Sequence, residues 1–159
     1  MRRFIQIKQP KATWQELLVA LLGGVLGIGI LGLITDLTHV PLLWAPFGGT
    51  LMLVFTAHAS PFSQPLNVLG GTLMAAGLSF ICFAILPDNT YSLMITVGLV
   101  IAAMRLARLS HPPAAATPIV ISLSHASWLV VLPALAIGSL AILVMGWVVH
   151  RLTKTHYPV

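Results

Sequence analysis

Ser110-His111-Pro112-Pro113-Ala114-Ala115-Ala116-Thr117 interrupts an apolar run with two consecutive prolines, where a membrane helix would be continuous. An upstream stretch has a similar sequence. Residues 46–60 (PFGGTLMLVFTAHAS) and 113–127 (PAAATPIVISLSHAS) align at an offset of 67 positions, and five of the fifteen pairs are identical. Those pairs are Pro46/Pro113, Thr50/Thr117, His58/His125, Ala59/Ala126 and Ser60/Ser127. The alignment predicts an internal repeat with one proline-broken segment in each copy.

The composition is typical of a membrane protein. Of the 159 residues, 58% are hydrophobic and 7% are charged, and the mean hydropathy is +0.99. Globular domains carry about 25% charged residues, so we expect a single transmembrane domain, residues 1–159, in a lipid bilayer. The one cysteine, Cys82, lies in an apolar run. It therefore forms no intramolecular disulfide, and we expect it to be a packing residue.

Basic residues cluster at the edges of the apolar segments. The eight lysines and arginines outnumber the three acidic residues, but this placement is typical of charges that orient a membrane protein, so we expect no nucleic-acid binding. Arg2 and Arg3 precede an apolar run over residues 14–35, which is too long for a signal peptide and has no following cleavage site. We expect an uncleaved first membrane helix, whose Gly23-x-x-x-Gly27 spacing predicts close contact with another helix.

Six apolar segments are separated by short polar connectors. About 20 helical residues cross a bilayer core of about 30 Å, and four segments are predicted to be full-length spans: residues 14–35, 66–86, 92–106 and 128–149. The other two are shorter and contain prolines and small residues near their starts; they cover residues 42–57 and 114–123. Each repeat then consists of a long segment, a short broken segment and a second long segment.

The positions of the charges decide whether the two short segments cross the membrane. If they only enter and return, the chain crosses four times, and Arg105 and Arg108 lie opposite the basic N-terminus. If they cross, all eight basic residues face the cytoplasm, whereas Asp36 and Asp88 face outward. Because lysine and arginine near a membrane favour the cytoplasmic side, the charges favour six crossings.

The predicted fold is therefore all-α, with six spans arranged as two inverted three-helix repeats, about residues 14–86 and 92–153. Helices 2 and 5 are short and broken by proline and glycine. Three crossings in the first repeat turn the second repeat upside down in the membrane. We expect a multi-pass protein of a bacterial inner membrane with both termini in the cytoplasm.

The two broken segments are the predicted substrate site. Short Pro/Gly-interrupted helices at matching places of inverted repeats indicate a site near the bilayer midplane. A proline suits the first helical turn, small residues leave the backbone accessible, and a helix N-terminus attracts an anion. The alternative is that these residues only permit a kink and tight packing. The predicted substrate-binding residues on these segments are Pro46, Gly48, Gly49, Thr50, Pro112, Pro113, Ala115 and Thr117.

Three further polar residues are candidates for the same site. His111 could donate to an anion or carry a proton, or it could cap a loop. Gln64 and Asn67, three residues apart, could face a cavity from one side of a helix, or they could satisfy backbone groups freed at a helix end. His58 and His125 occupy equivalent repeat positions, and we expect them at opposite membrane surfaces.

The sequence lacks the residues that other chemistries require. Aspartate, glutamate and lysine are absent from the interior of every predicted span, which disfavours a carboxylate cation site. The histidines have no metal-ligand spacing, and there is no nucleophile elbow, phosphate loop or carboxylate pair. We therefore expect no enzyme activity, no metal and no cofactor, and a lining of hydroxyls, amides and helix ends that suits a small anion.

Three motifs resemble the HPP family of integral membrane proteins. They are residues 108–117 (RLSHPPAAAT), residues 46–50 (PFGGT) and residues 60–71 (SPFSQPLNVLGG), in the family's order and over nearly the whole chain. The resemblance implies a small membrane transporter, with plastid and cyanobacterial relatives connected with nitrite movement. It also implies four membrane helices; we predict six, because four would place Arg105 and Arg108 outside.

The expected function is transport of a small inorganic anion similar to nitrite, by a carrier or a channel, with the anion held near the midplane between opposed helix N-termini. With only six spans, one copy of the chain encloses a pathway poorly, so a homo-oligomer is expected. The alternative is a membrane scaffold or partner subunit of a larger complex that transports nothing.

Overall fold

In the computed structural model, residues 10–159 are described. Arg2, Arg3 and Lys8, on which the predicted orientation partly depends, lie outside the described residues. The described part is helical and contains no strand, which confirms the all-α prediction. Its helices are α1 (Trp14–Thr38), α2 (Ala45–Thr56), α3 (Pro65–Ile85), α4 (Thr90–Leu106), α5 (Thr117–Ser124) and α6 (Trp128–Leu152). Two 3-10 turns, Pro61–Ser63 and Pro112–Ala116, precede α3 and α5.

Local sequence explains where these helices begin. Thr13 and Glu16 form a capping box at the start of α1, and the Asn89 side chain accepts a hydrogen bond from the Ser92 N–H at the start of α4. Pro46 and Pro65 occupy the first turns of α2 and α3. A proline at that position has no N–H to leave unpaired, and its fixed φ angle suits the helix.

Three helices of the described chain are long and apolar enough to cross a membrane: α1, α3 and α6. The sequence predicted four full-length spans, and the difference is α4, which has 17 residues. At 1.5 Å per residue its length is about 25 Å, which is less than a typical bilayer core. Helix α1 also continues beyond residue 35 to Thr38. The next residue, His39, is in the left-handed conformation, and its N–H donates to the Thr35 carbonyl.

Glycines allow α2 to pack between α1 and α6. Gly23 contacts the Phe55 ring and Gly27 contacts Leu51, so α1 and α2 run antiparallel, and the contact predicted for Gly23-x-x-x-Gly27 is confirmed. On the other side, Gly138 contacts Phe47 and Gly146 contacts Val54, so α2 and α6 run parallel. These contacts leave no space for a Cβ atom, which makes each glycine a requirement of close helix packing.

Contacts also establish which helix ends lie together. The segment after α6 reaches the turn before α3, where the Tyr157 phenol donates to the Ser63 carbonyl. Leu109, which follows α4, packs against Gly70 near the start of α3. One end of the bundle therefore holds the C-terminal ends of α2, α4 and α6 and the N-terminal ends of α1 and α3. Many large apolar side chains of α1 point outward, such as Leu21 and Val25, as expected of a helix that faces lipid.

Candidate functional site

The chain is non-helical immediately before each short helix. Residues 39–44 lead into α2, and residues 109–111 lead into the 3-10 turn that precedes α5. Leu42 and His111, in the middle and at the end of these approaches, are both fully buried. Buried backbone groups need hydrogen-bond partners, and polar side chains supply them at both places. The Leu42 N–H donates to the Thr35 hydroxyl, and the Asn67 amide donates to the Ser110 carbonyl.

The two proline-broken segments lie against each other. A Cβ atom at Gly49 in α2 would be 3.0 Å from Cγ of Pro113. One residue further along, Oγ1 of Thr50 lies 2.9 Å from Nε2 of His111, and the pair is buried. Thr50, Gly49, His111 and Pro113, which the sequence assigned to one site, are therefore neighbours, although up to 64 positions separate them in the chain.

His111 is held at both ring nitrogens. Nδ1 lies 2.8 Å from the carbonyl oxygen of Phe62. A carbonyl only accepts, so Nδ1 carries the hydrogen. In the neutral ring Nε2 then accepts from the Thr50 hydroxyl, whose other neighbour is the Pro46 carbonyl at 3.1 Å. Gly71 of α3 leaves space for the ring, because a Cβ there would lie 2.9 Å from the Cβ of His111. In this tautomer the ring has no free N–H to offer an anion, because its one hydrogen is donated to Phe62 and Nε2 accepts from Thr50.

A cavity of about 460 Å³ lies beside this pair, between α4 and the 109–115 segment. His111, Pro112 and Ala115 of the predicted site form part of its wall. Arg105 and Ser110 also line it, so one guanidinium and one hydroxyl are available in an otherwise apolar surface.

The remaining predicted residues are placed differently. Gly48 faces open space. The Gln64 amide donates to the carbonyls of His58 and Ser60, and the Asn67 amide donates to those of Arg108 and Ser110. These two amides therefore satisfy backbone groups around the approach segments, and Asn67 holds the residues just before His111 in place.

The buried polar side chains among the described residues are threonine, serine and histidine. Two of the hydroxyls, those of Ser79 and Thr96, donate to a carbonyl one turn earlier in their own helix. Thr117 and Ser139 differ from them, because their hydroxyls are buried and have no protein partner. An unpaired buried hydroxyl costs about 1–3 kcal/mol, so both are available to a water molecule or a ligand. They occupy repeat positions equivalent to Thr50 and Thr72.

A second polar cluster lies at the end of the bundle where α6 ends. The rings of His58 and His150 are 4.5 Å apart, and Nε2 of His150 lies 2.8 Å from the Val54 carbonyl. Burial, followed by the nearby charge of His150, lowers the pKa of His58. Burial raises the pKa of Tyr157 to about 12, so its phenol stays a hydrogen-bond donor. His125, the repeat equivalent of His58, caps the end of α5 in a left-handed conformation.

Three contributors to this arrangement had no recognisable signal in the sequence. Arg105 appeared as an orienting charge, the Phe62 carbonyl carries no side-chain information, and Tyr157 lies outside every motif. No group of three or more histidine, cysteine, aspartate or glutamate side chains within residues 10–159 could hold a metal ion.

Apolar helices of spanning length, buried polar side chains without carboxylates and a site built from broken helices define a multi-pass α-helical membrane protein. The sequence profile of the HPP transmembrane region matches residues 9–158, and the chain belongs to the HPP transmembrane family. A transmembrane protein of Dictyostelium discoideum is 28% identical over 167 residues, which cover 96% of this chain and 53% of that protein. The chain thus spans about half the length of this relative. No solved structure matches this chain.

Proposed function

We propose that the protein moves a small monovalent anion, of the size and charge of nitrite, across the membrane. The observation that carries the proposal is the contact between two proline-broken segments inside the bundle, through Gly49 and Pro113 and through Thr50 and His111. Paired broken helices recur at the substrate sites of transporters. The partial positive charge of a helix N-terminus favours an anion there.

We further propose that the two halves are inverted repeats and that the chain crosses the membrane six times. The alignment at an offset of 67 residues pairs α1 with α4, α2 with α5 and α3 with α6. The members of each pair run in opposite directions between the ends of the bundle, which supports the inversion. Under this topology both termini lie in the cytoplasm of a bacterial cell, together with Arg105 and Arg108.

The electrostatics of the interior favour an anion over a cation. The buried polar side chains of the described chain are hydroxyls and imidazoles, with no carboxylate among them, and Arg105 lies at the adjoining cavity. A hydroxyl can donate to an anion, and its donation replaces part of the hydration shell that the anion loses. A cation pathway of this kind would need carboxylates or converging carbonyls.

An anion entering from the cavity meets Arg105 first and then the pair formed by Thr50 and His111. When the hydrogen bond between them opens, the Thr50 hydroxyl can turn from His111 and the Pro46 carbonyl towards the anion, and the Thr117 hydroxyl has no protein partner to lose. These two threonines occupy equivalent positions of the two repeats, so each half contributes one donor. We propose that the protein works as a homo-oligomer, because the few helices of one copy do not enclose a pathway well.

The test is uptake of nitrite into proteoliposomes that contain the purified protein, with empty liposomes for comparison. Thr117→Val is expected to lower uptake about tenfold or more, since it removes a hydrogen bond worth about 1.5 kcal/mol or more to a charged ligand. His111→Asn is expected to lower uptake as well, because it removes the partner that orients the Thr50 hydroxyl. Thr56→Val is the control, because Thr56 is an exposed threonine at the end of α2 whose hydroxyl donates to the Met52 carbonyl.

Two results would contradict the proposal. Absence of uptake of nitrite and of other small anions by the wild-type protein would remove the transport function, and co-purification with another chain would then favour a scaffold. Unchanged uptake in both variants would remove the site assignment while leaving transport intact.

A further inference from the structure

The chain folds back against the bundle after α6. We call residues 155–159 the C-terminal strap. The hydroxyl oxygen of its first residue, Thr155, lies 2.7 Å from Nδ1 of His150. Tyr157 is 6% exposed, and its ring packs near Gly146 and 5.2 Å from the His150 ring. The strap is thus bound to the end of α6.

Two hydrogen bonds join the strap to the turn before α3. The Tyr157 phenol donates to the Ser63 carbonyl at 2.8 Å in a buried position. The Val159 N–H donates to Oε1 of Gln64 at 2.9 Å. A phenol enclosed in this way keeps its proton, so the first of these bonds persists over the physiological pH range.

The turn itself is fixed by its own side chains. The Ser63 hydroxyl lies within 3.1 Å of the carbonyls of Ala57, His58 and Ser60. The Gln64 amide donates to two of the same carbonyls at 2.9 Å. Phe62 precedes Ser63, and its carbonyl is the one that accepts from Nδ1 of His111. A displacement of Ser63 therefore moves the acceptor that sets the orientation of the His111 ring.

We propose that Tyr157 is a positioning residue for His111. The strap holds the turn, the turn presents the Phe62 carbonyl, and that carbonyl fixes the tautomer and orientation in which Nε2 faces Thr50. The chain of contacts runs from residue 157 to residue 50 through three separate elements, and every step is a hydrogen bond or a covalent neighbour. The consequence for transport rests on the proposed function, whereas the effect on the His111 ring does not.

The first measurement is nuclear magnetic resonance of ¹⁵N-histidine-labelled protein in detergent, with the Nδ1–H of His111 assigned by its loss in His111→Asn. Tyr157→Phe keeps the ring packing and removes only the phenol. We expect it to speed exchange of that Nδ1–H with solvent about three- to tenfold, the effect of one lost hydrogen bond. Tyr91→Phe is the matched control, because Tyr91 is 76% exposed near the start of α4.

The second measurement is the concentration dependence of nitrite uptake. Tyr157→Phe is expected to raise the half-saturating concentration about three- to tenfold in the wild-type background and to change nothing further in the His111→Asn background. His111→Gln provides a second background if the asparagine variant does not fold. A residue that only stabilised the fold would act equally in both backgrounds.

The outcomes separate this inference from the proposed function. Unchanged exchange of the His111 Nδ1–H in Tyr157→Phe overturns the positioning role, whatever the transport result. Equal effects of Tyr157→Phe with and without His111 overturn it as well. If the wild-type protein takes up no anion, the proposed function fails, and the exchange measurement still decides whether Tyr157 positions His111.

Discussion

At the scale of single residues, the hydrogen bond between Thr50 and His111 is the contact on which the candidate site depends. Both partners are buried, so neither has water as a replacement when the other is removed. Buried polar groups that lose a partner retain the full cost of desolvation. The pair therefore connects α2 to the approach before α5 more firmly than an exposed pair would.

Replacement of Thr50 by valine tests this contact. Thr50→Val preserves the shape of the side chain but leaves Nε2 of His111 unpaired, and we expect a loss of stability of about 1–3 kcal/mol. Thr56→Val should change stability by less than about 0.5 kcal/mol. Reaction of the buried Cys82 thiol with a thiol-specific dye during heating measures unfolding in both variants. Equal melting temperatures would contradict the structural role of the pair.

The pKa of His58 predicts how stability depends on pH. Burial and the nearby His150 lower that pKa, against an opposing contribution from Glu16 of α1. Between the lowered value and the ordinary value of about 6.5, the unfolded chain binds more protons than the folded one. The contribution of neutral His58 to the free energy of unfolding is therefore fully present above about pH 6.5 and is lost as the pH falls through this window.

The same dye assay at a series of pH values checks this prediction. The melting temperature should fall on acidification of the wild-type protein, and His58→Gln, which does not titrate, should show a smaller fall. An identical pH dependence in the two proteins would exclude His58 as the responsible group.

At the scale of elements, α2 packs closely against three neighbours at glycine positions. It contacts α1 at Gly23 and Gly27 and α6 at Gly138 and Gly146. Its own Gly49 contacts the 3-10 turn Pro112–Ala116. Glycine at these positions allows backbones to approach closely, and the contacts lie on three sides of one short helix. Its position, more than its length, makes it central to the candidate site.

Adjacent glycines of α2 provide a matched pair of substitutions. Gly49→Leu would place a side chain against Pro113, whereas Gly48→Leu would project into open space. Overpacking costs about 1–3 kcal/mol, and leucine gains about 1 kcal/mol over glycine in a helix. We expect Gly48→Leu to be neutral or stabilising and Gly49→Leu to lower the melting temperature. A tolerated Gly49→Leu would mean that the two broken segments are not tightly packed.

At the scale of the whole molecule, the number of membrane crossings remains a prediction. Six crossings place residues 108 and 154 on one side and residue 88 on the other. The described contacts agree with this arrangement, because the ends of α4 and α6 lie at one end of the bundle. Four crossings, in which the short segments enter and return, would place residues 108 and 154 on opposite sides.

Cysteine accessibility in intact cells distinguishes the two topologies. Single cysteines at positions 88, 108 and 154, in a background with Cys82 replaced by alanine, are treated with a membrane-impermeant thiol reagent. We expect labelling at position 88 alone, and labelling at 108 and 154 only after the cells are opened. Labelling of position 108 from the outside would exclude six crossings.

The sequence by itself determined the class of the protein and the regions in which its helices begin. Hydropathy, prolines and caps are local properties, so they predicted an all-helical membrane protein with short segments starting near residues 46 and 113. The three HPP motifs, recognised in the sequence, indicated the family that the profile match confirmed. The sequence analysis counted the segment over residues 92–106 as a full-length span, whereas α4 has 17 residues and is shorter than a typical bilayer core.

Only the tertiary structure decided which groups meet at the site. The Thr50–His111, His111–Phe62 and Tyr157–Ser63 hydrogen bonds join residues 61, 49 and 94 positions apart. Such contacts depend on how glycine-lined helices pack against each other, and two of the three use a backbone carbonyl that every residue possesses. Composition and periodicity contain no information about that choice, because it is made when the helices come together in three dimensions.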